Sequence, residues 1–117
     1  NSMKLFITRD QAKGLLGGVK FELRAKAELT NEEAELVKKY KADKEVLLKK
    51  EIKIPFTGKA LELDIKIENL LAGQTFKCAD VGDILETEKN VKEAAENFKN
   101  YIEVMKNYGG QEVIEYK

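Results

Sequence analysis

Two hydrophobic patterns stand out along this chain, and each predicts a different element. From Val19 to Leu29 every odd position is apolar and every even position is charged, which is the two-residue period of a strand with one buried face. From Val91 to Tyr108 the apolar residues recur at intervals of three and four, the period of a helix with one buried side. Together these patterns predict a sheet that is covered on one face by a long helix.

The N-terminal part of the chain predicts a strand, a glycine-rich loop and a short helix around the first pattern. Leu5 to Thr8 is apolar enough for a short strand, and the loop that follows runs to the long strand at residue 19. Thr30 and Glu33 have the spacing of a capping box. They predict a helix over about residues 31–42, with Ala34, Leu36, Val37 and Tyr40 toward the core.

The middle of the chain predicts a hairpin. Residues 44–50 are compatible with either a helix or a strand, but Ile52 and Ile54 alternate and Pro55 ends any helix. We therefore favour a strand over about 46–54, with a bulge near Lys49 and Lys50. Residues 55–58 predict a turn, and a second alternating strand, 61–67, follows it.

The C-terminal part predicts a short strand, the long helix and a final strand. Residues 69–73 are compatible with one helical turn, and residues 75–78 with a strand. Asp80 can cap the helical region, and Thr87 can cap a second helix if the region breaks there. Two glycines after Tyr108 predict the helix end, and residues 111–116 predict a last strand.

These elements define an α+β fold in the order β-β-α-β-β-β-α-β, with a mostly antiparallel sheet and one face under the C-terminal helix. At 117 residues with one proline the chain predicts a single domain over 3–117. Asn1 and Ser2 precede the first methionine and are interpreted as a remnant of cloning. The strand order within the sheet stays open.

Composition and charge narrow the function classes. The net charge is zero although 36% of residues are charged, and the charged strand faces mix both signs without aromatic residues, so no nucleic-acid partner is predicted. No apolar run approaches the roughly 20 residues of a membrane span. The lone Cys78 suits a reducing compartment, which predicts a cytoplasmic protein, and its position near Phe76 favours a buried packing role.

The chain has no histidine. This removes the most common general base and metal ligand, and with a single cysteine it excludes the usual zinc sites. No phosphate-loop, dinucleotide or calcium-loop motif occurs. We therefore predict no cofactor, no metal and no catalytic residue, and we favour a function other than catalysis.

Two weaker alternatives remain open. The glycine-rich loop 13–18 can form an anion site in which the amides of Gly17 and Gly18 converge with Arg9 and Lys13, although such loops normally lead into a helix. The carboxylates of Asp80, Asp83 and Glu86 can act together in a histidine-free enzyme, although acidic residues are ordinary at the start of a helix.

A second apolar stripe on the long helix carries the leading hypothesis. Asn97, Tyr101, Val104 and Tyr108 lie at one margin of the main stripe, which makes the apolar surface wider than a globular helix needs. The tyrosines can bury their rings at the core boundary, but Val104 has no polar end. We predict that this flank meets the strand at 111–116 or a second copy, and that the chain is a protein-interaction or self-associating module.

Overall fold

The computed structural model describes residues 1–14, 16–53 and 56–117, and its architecture is the α+β class that the sequence predicts. Antiparallel strands precede a long C-terminal helix. The strands are β1 (Lys4–Lys13), β2 (Val19–Glu28), β3 (Val46–Lys53), β4 (Ala60–Lys66) and β5 (Gln74–Cys78), and the helices are α1 (Asn31–Lys39), α2 (Ile67–Ala72) and α3 (Val81–Lys106).

The strands of the described chain form two sheets rather than the predicted one. β1, β2 and β5 form an antiparallel sheet with β2 in the centre, while β3 and β4 pair with each other. β5 pairs with β2 only along Phe21–Ala25, and α2 packs against β2. β4, which leads directly into α2, pairs with β3 among the described strands and not with the larger sheet.

The core lies between the larger sheet and α3. Leu23, Ala25 and Ala27 of β2 are at most 2% exposed, as the alternating pattern predicts, but Val19 at the strand's start is 47% exposed. Phe98 and Ile102 of α3 are 0% and 2% exposed. The prediction that these two residues are among the most buried of the helix is confirmed.

Helix α3 is continuous, so the break considered at Thr87 does not occur. Its 26 residues correspond to about 39 Å, long enough to contact β2, β3 and β5. Asp80 is the N-cap residue, and its carboxylate accepts a hydrogen bond from the amide of Asp83 at 2.8 Å. Because this cap already starts the helix, Thr87 is free to face Cys78, whose thiol lies 3.6 Å from its hydroxyl.

Helix α1 starts as predicted and ends earlier. The amide of Glu33 donates to Thr30 Oγ1 at 3.2 Å, and the amide of Thr30 donates to Glu33 Oε1 at 2.8 Å, which confirms the capping box. The helix stops at Lys39, and Lys41 has a left-handed φ of 51° before a 3-10 turn. Tyr40 is therefore the residue that follows the helix. Both Tyr40 and Ala34 are exposed, contrary to their predicted core positions.

Strand β1 is longer than the predicted Leu5 to Thr8. It pairs with β2 from Lys4 opposite Glu28 to Lys13 opposite Val19, so Arg9 and Lys13 belong to a strand and not to a loop. Backbone pairing does not require apolar side chains. Pairing with the long regular strand β2 therefore extends β1 through residues 9–13, a polar stretch whose sequence predicts a loop.

The hairpin of β3 and β4 resolves the ambiguity at 44–50 in favour of a strand. Its irregularity lies between Val46 and Leu48, not at Lys49 and Lys50. Within it, the Leu47 carbonyl accepts a hydrogen bond from the Asn97 side chain at 2.7 Å. Gly58 has the positive φ expected of the turn, 67°. Two residues used in the prediction, Ile54 and Pro55, lie outside the described residues.

Residues 111–117 form no strand, and all of their side chains are exposed. Their Val, Ile and Tyr content indicates a strand, but a strand also needs a partner backbone. Helix α3 ends at Lys106. Two residues later Tyr108 contacts Tyr40, just after α1, and Gly109 and Gly110 then take positive φ values. The final segment therefore leaves the helix end without reaching a strand.

Candidate functional site

The flank of α3 that carries Asn97 and Tyr101 faces the start of β3. The Asn97 amide nitrogen donates to the Leu47 carbonyl at 2.7 Å, and the Tyr101 hydroxyl donates to Glu45 Oε2 at 3.4 Å. These two contacts hold the helix alongside the strand. They also engage the Asn97 amide nitrogen and the Tyr101 hydroxyl with partners within the chain.

The environment of Tyr101 keeps its hydroxyl protonated. Burial of the phenol raises the pKa of Tyr101 above its ordinary value, and the negative charge and hydrogen bond of Glu45 raise it further. Tyr101 is half-buried. It therefore serves as a neutral hydrogen-bond donor and an apolar wall near neutral pH, and not as a base.

Just past the end of α3, the ring of Tyr108 contacts that of Tyr40, the residue that follows α1. The ring centroids are 5.9 Å apart at an interplanar angle of 77°, an edge-to-face pair of the kind aromatic rings prefer. The Lys39 ammonium lies 5.2 Å from the centroid of the Tyr40 ring, within the range of a cation–π interaction. The Tyr108 ring nevertheless remains 73% exposed.

Two adjoining hollows of about 430 and 260 Å³ lie along this flank and share Tyr101 and Val104. We refer to them together as the flank groove. One wall is α3, and the other is formed by the start of β3 and the segment before it. The lining residues are Tyr40, Ala42, Glu45, Val46, Leu47, Asn97, Asn100, Tyr101, Val104, Met105 and Tyr108.

All four residues of the predicted flank, Asn97, Tyr101, Val104 and Tyr108, lie in the groove, and Val104 is 63% exposed at its centre. Sequence reasoning missed the opposite wall, above all Val46 and Tyr40. The helix period identifies residues that share one flank, but no local pattern indicates which distant segment faces them. The groove is therefore a product of tertiary packing.

The glycine-rich loop does not gather the residues of the anion hypothesis. Arg9 lies within β1, and its guanidinium donates to Glu88 on α3. Arg9 and Lys13 are four residues apart on one strand, a distance of about 13 Å. The Gly17 amide donates to the Gly14 carbonyl at 3.2 Å. One cation and one amide of the hypothesis are therefore already paired within the chain, and Gly18 accepts a hydrogen bond from Gly14 through its carbonyl.

Two of the three carboxylates near the start of α3 have structural partners. Asp80 caps the helix, and Asp83 Oδ2 accepts a hydrogen bond from the Ala79 amide at 2.9 Å. Glu86 is exposed on the next turn. Cys78, two residues before the cap, is 6% exposed, which confirms its predicted burial.

Within the described ranges, no three His, Cys, Asp or Glu side chains are grouped so that they could hold a metal ion. A search of the same residues found no helix with the length and apolar character needed to cross a membrane.

Comparison with protein-family models, with curated proteins and with solved structures found no match to this chain.

Proposed function

We propose that the chain is a non-enzymatic protein-interaction module that binds an extended peptide segment in the flank groove. The observation that carries this proposal is the exposed apolar surface around the groove. Val46, Val104 and Tyr108 are 38%, 63% and 73% exposed along the two hollows of about 430 and 260 Å³. Exposed apolar residues that line a concavity are typical of binding surfaces.

The polar groups of the groove support binding over catalysis. Asn97 and Tyr101 are both engaged within the chain, and the raised pKa of Tyr101 moves it away from the range of a general base at neutral pH. A bound segment can therefore contact apolar side chains without leaving these polar groups unpaired, a cost that would oppose binding.

The dimensions and charges of the groove favour an extended segment with acidic residues. From Asn97 to its end at Lys106 the helix rises about 14 Å, the length of about four residues of a strand, and Tyr108 lines the groove beyond this end. Lys38, Lys39 and Lys41 flank Tyr40 at one end and are exposed. None of these lysines takes part in the ion pairs found among the described residues.

We further propose that the module is a cytoplasmic protein. Its single cysteine is a free, buried thiol, as suits a reducing compartment.

Selection of displayed heptapeptides on the folded chain tests the proposal. We expect peptides with alternating apolar and acidic residues to be enriched and to lose binding to Val104→Glu. Leu85→Glu is the matched control, since Leu85 is 64% exposed on the same helix and lies outside the groove. Enrichment of no peptide, or equal binding to the Val104→Glu variant, would contradict the proposal.

A further inference from the structure

One exposed segment of the chain itself combines apolar and acidic residues. Residues 111–117 read Gln-Glu-Val-Ile-Glu-Tyr-Lys, and Val113, Ile114 and Tyr116 are 76%, 59% and 91% exposed. Three of these seven residues are thus large apolar side chains without a covering surface. They have the composition of an extended strand, although the segment forms none in the single chain.

Length and charge match between this segment and the flank groove. Seven extended residues span about 23 Å, enough to follow the helix for about 14 Å between Asn97 and Lys106 and to reach the part of the groove at Tyr108. Glu112 and Glu115 lie on either side of Val113 and Ile114. The groove offers apolar contacts at Val104 and Val46, and lysines at its Tyr40 end, so the acidic residues can meet basic ones.

The direction of the chain after α3 favours binding of residues 111–117 to the groove of a second copy over binding to the groove of the same copy. The groove extends from Tyr108 back along α3, so the segment would have to reverse its direction at Gly109 and Gly110 to enter it. These glycines have φ values of 130° and 75°, and every residue from 109 to 117 is exposed. The segment thus does not cover the groove of its own copy, and the groove residues Val104 and Tyr108 remain exposed.

We infer that two copies associate by exchanging residues 111–117, each segment lying in the flank groove of the other copy. This inference rests on the proposed function, because it names the occupant of the same groove. The arrangement is a two-fold one in which the same two surfaces are used on both copies. The lysine and glutamate contacts should make the association weaker at high salt.

Solution mass, measured by analytical ultracentrifugation over a range of concentrations, tests the exchange. We expect the wild type to reach twice its 13.3 kDa mass, and Val104→Glu and Ile114→Glu each to remain monomeric. Leu85→Glu should associate like the wild type. All the substituted residues are at least 59% exposed, so the variants should fold, which circular dichroism checks.

Mixing the two monomeric variants provides the decisive measurement. The Val104→Glu chain keeps an intact segment and the Ile114→Glu chain keeps an intact groove, so the mixture should form a heterodimer held by one of the two contacts. Its dissociation constant should exceed that of the wild type. A monomeric wild type, a dimer that survives Ile114→Glu, or a mixture without heterodimer would overturn the exchange.

The two proposals can fail separately. A synthetic peptide of residues 111–117, titrated against the Ile114→Glu chain, should bind and should not bind Val104→Glu. If this peptide does not bind but the selected heptapeptides do, the exchange is wrong and the interaction module stands. If neither binds, both proposals are wrong.

Discussion

The strands β2 and β4 carry the same alternating pattern, yet they bury very different parts of it. In β2, three successive apolar positions, Leu23, Ala25 and Ala27, are at most 2% exposed. In β4, Ile65 is fully buried, whereas Leu61, on the same face, is 60% exposed. Alternation therefore identifies the side chains that share a face, but it does not determine how far that face is covered.

The cause of the difference is the neighbourhood of each strand. β2 lies between β1 and β5 and under α3, so its central face meets helix residues such as Phe98. β4 pairs with β3, and near the hairpin turn both Ile52 and its partner Leu61 are at least half exposed. Strand residues next to α3 are thus buried, and residues near the turn between β3 and β4 are exposed.

The largest expected effect lies where the helix meets the covered sheet. Phe98→Ala should lower the free energy of unfolding by about 3–5 kcal/mol, because it removes a fully buried ring. Phe56→Ala is the matched control near the hairpin turn, where the ring is fully exposed, and should change it by less than about 0.5 kcal/mol. Urea unfolding measures both. Equal effects would contradict the distinction between covered and uncovered regions.

A smaller effect compares two positions on one strand. Ile65→Ala should cost about 2–5 kcal/mol, and Leu61→Ala less than about 1 kcal/mol, since their side chains are 0% and 60% exposed. Both lie on the same face of β4, so strand propensity and direction are shared. A cost at Leu61 equal to that at Ile65, measured by urea unfolding, would mean that the outer half of the hairpin is covered.

The smallest expected effect concerns the ion pair that joins β1 to α3. The hydrogen bond from Arg9 lowers the pKa of Glu88, with burial acting in the opposite direction and the charge of Arg9 adding to the lowering. Since the pKa in the folded state is lower than the ordinary value of 4.5, the pair stabilises the fold above that value. This stabilisation is lost as the pH falls through the lower folded value.

Comparison of the wild type with Arg9→Gln across this pH range checks whether the stabilisation by the ion pair decreases as the pH falls. The free energies of unfolding should differ slightly at neutral pH, as for other exposed pairs, and converge in acid. Lys13→Gln is the control, because Lys13 lies on the same strand outside the ion pairs of the described residues. A difference that grows as the pH falls would contradict the assignment.

Much of the local structure follows from short-range patterns. The capping box of Thr30 and Glu33, the buried face of β2 and the burial of Phe98 and Ile102 were all predicted from spacing alone. The errors arise where a partner decides the outcome. Residues 9–13 became strand because β2 extends beside them. Residues 111–116 did not, since none of the described strands pairs with them.

The candidate site shows the same division. The helix period predicted the flank with Asn97, Tyr101, Val104 and Tyr108, because residues three and four apart share a side of a helix. It did not predict Tyr40 and Val46, which lie more than 50 residues away in the chain. Long-range contacts leave no periodic signal in the sequence. The sequence therefore predicted the α3 wall of the groove but not the opposite wall.

The sequence by itself determined which residues share each face and where most helices and strands begin, because these depend on side-chain period and local hydrogen bonds. The tertiary structure alone decided that the strands divide into two sheets and that the flank of α3 faces the start of β3. It also decided that residues 111–117 lie free. Each of these features depends on contacts between segments far apart in the sequence, and those contacts form only when the whole chain packs together.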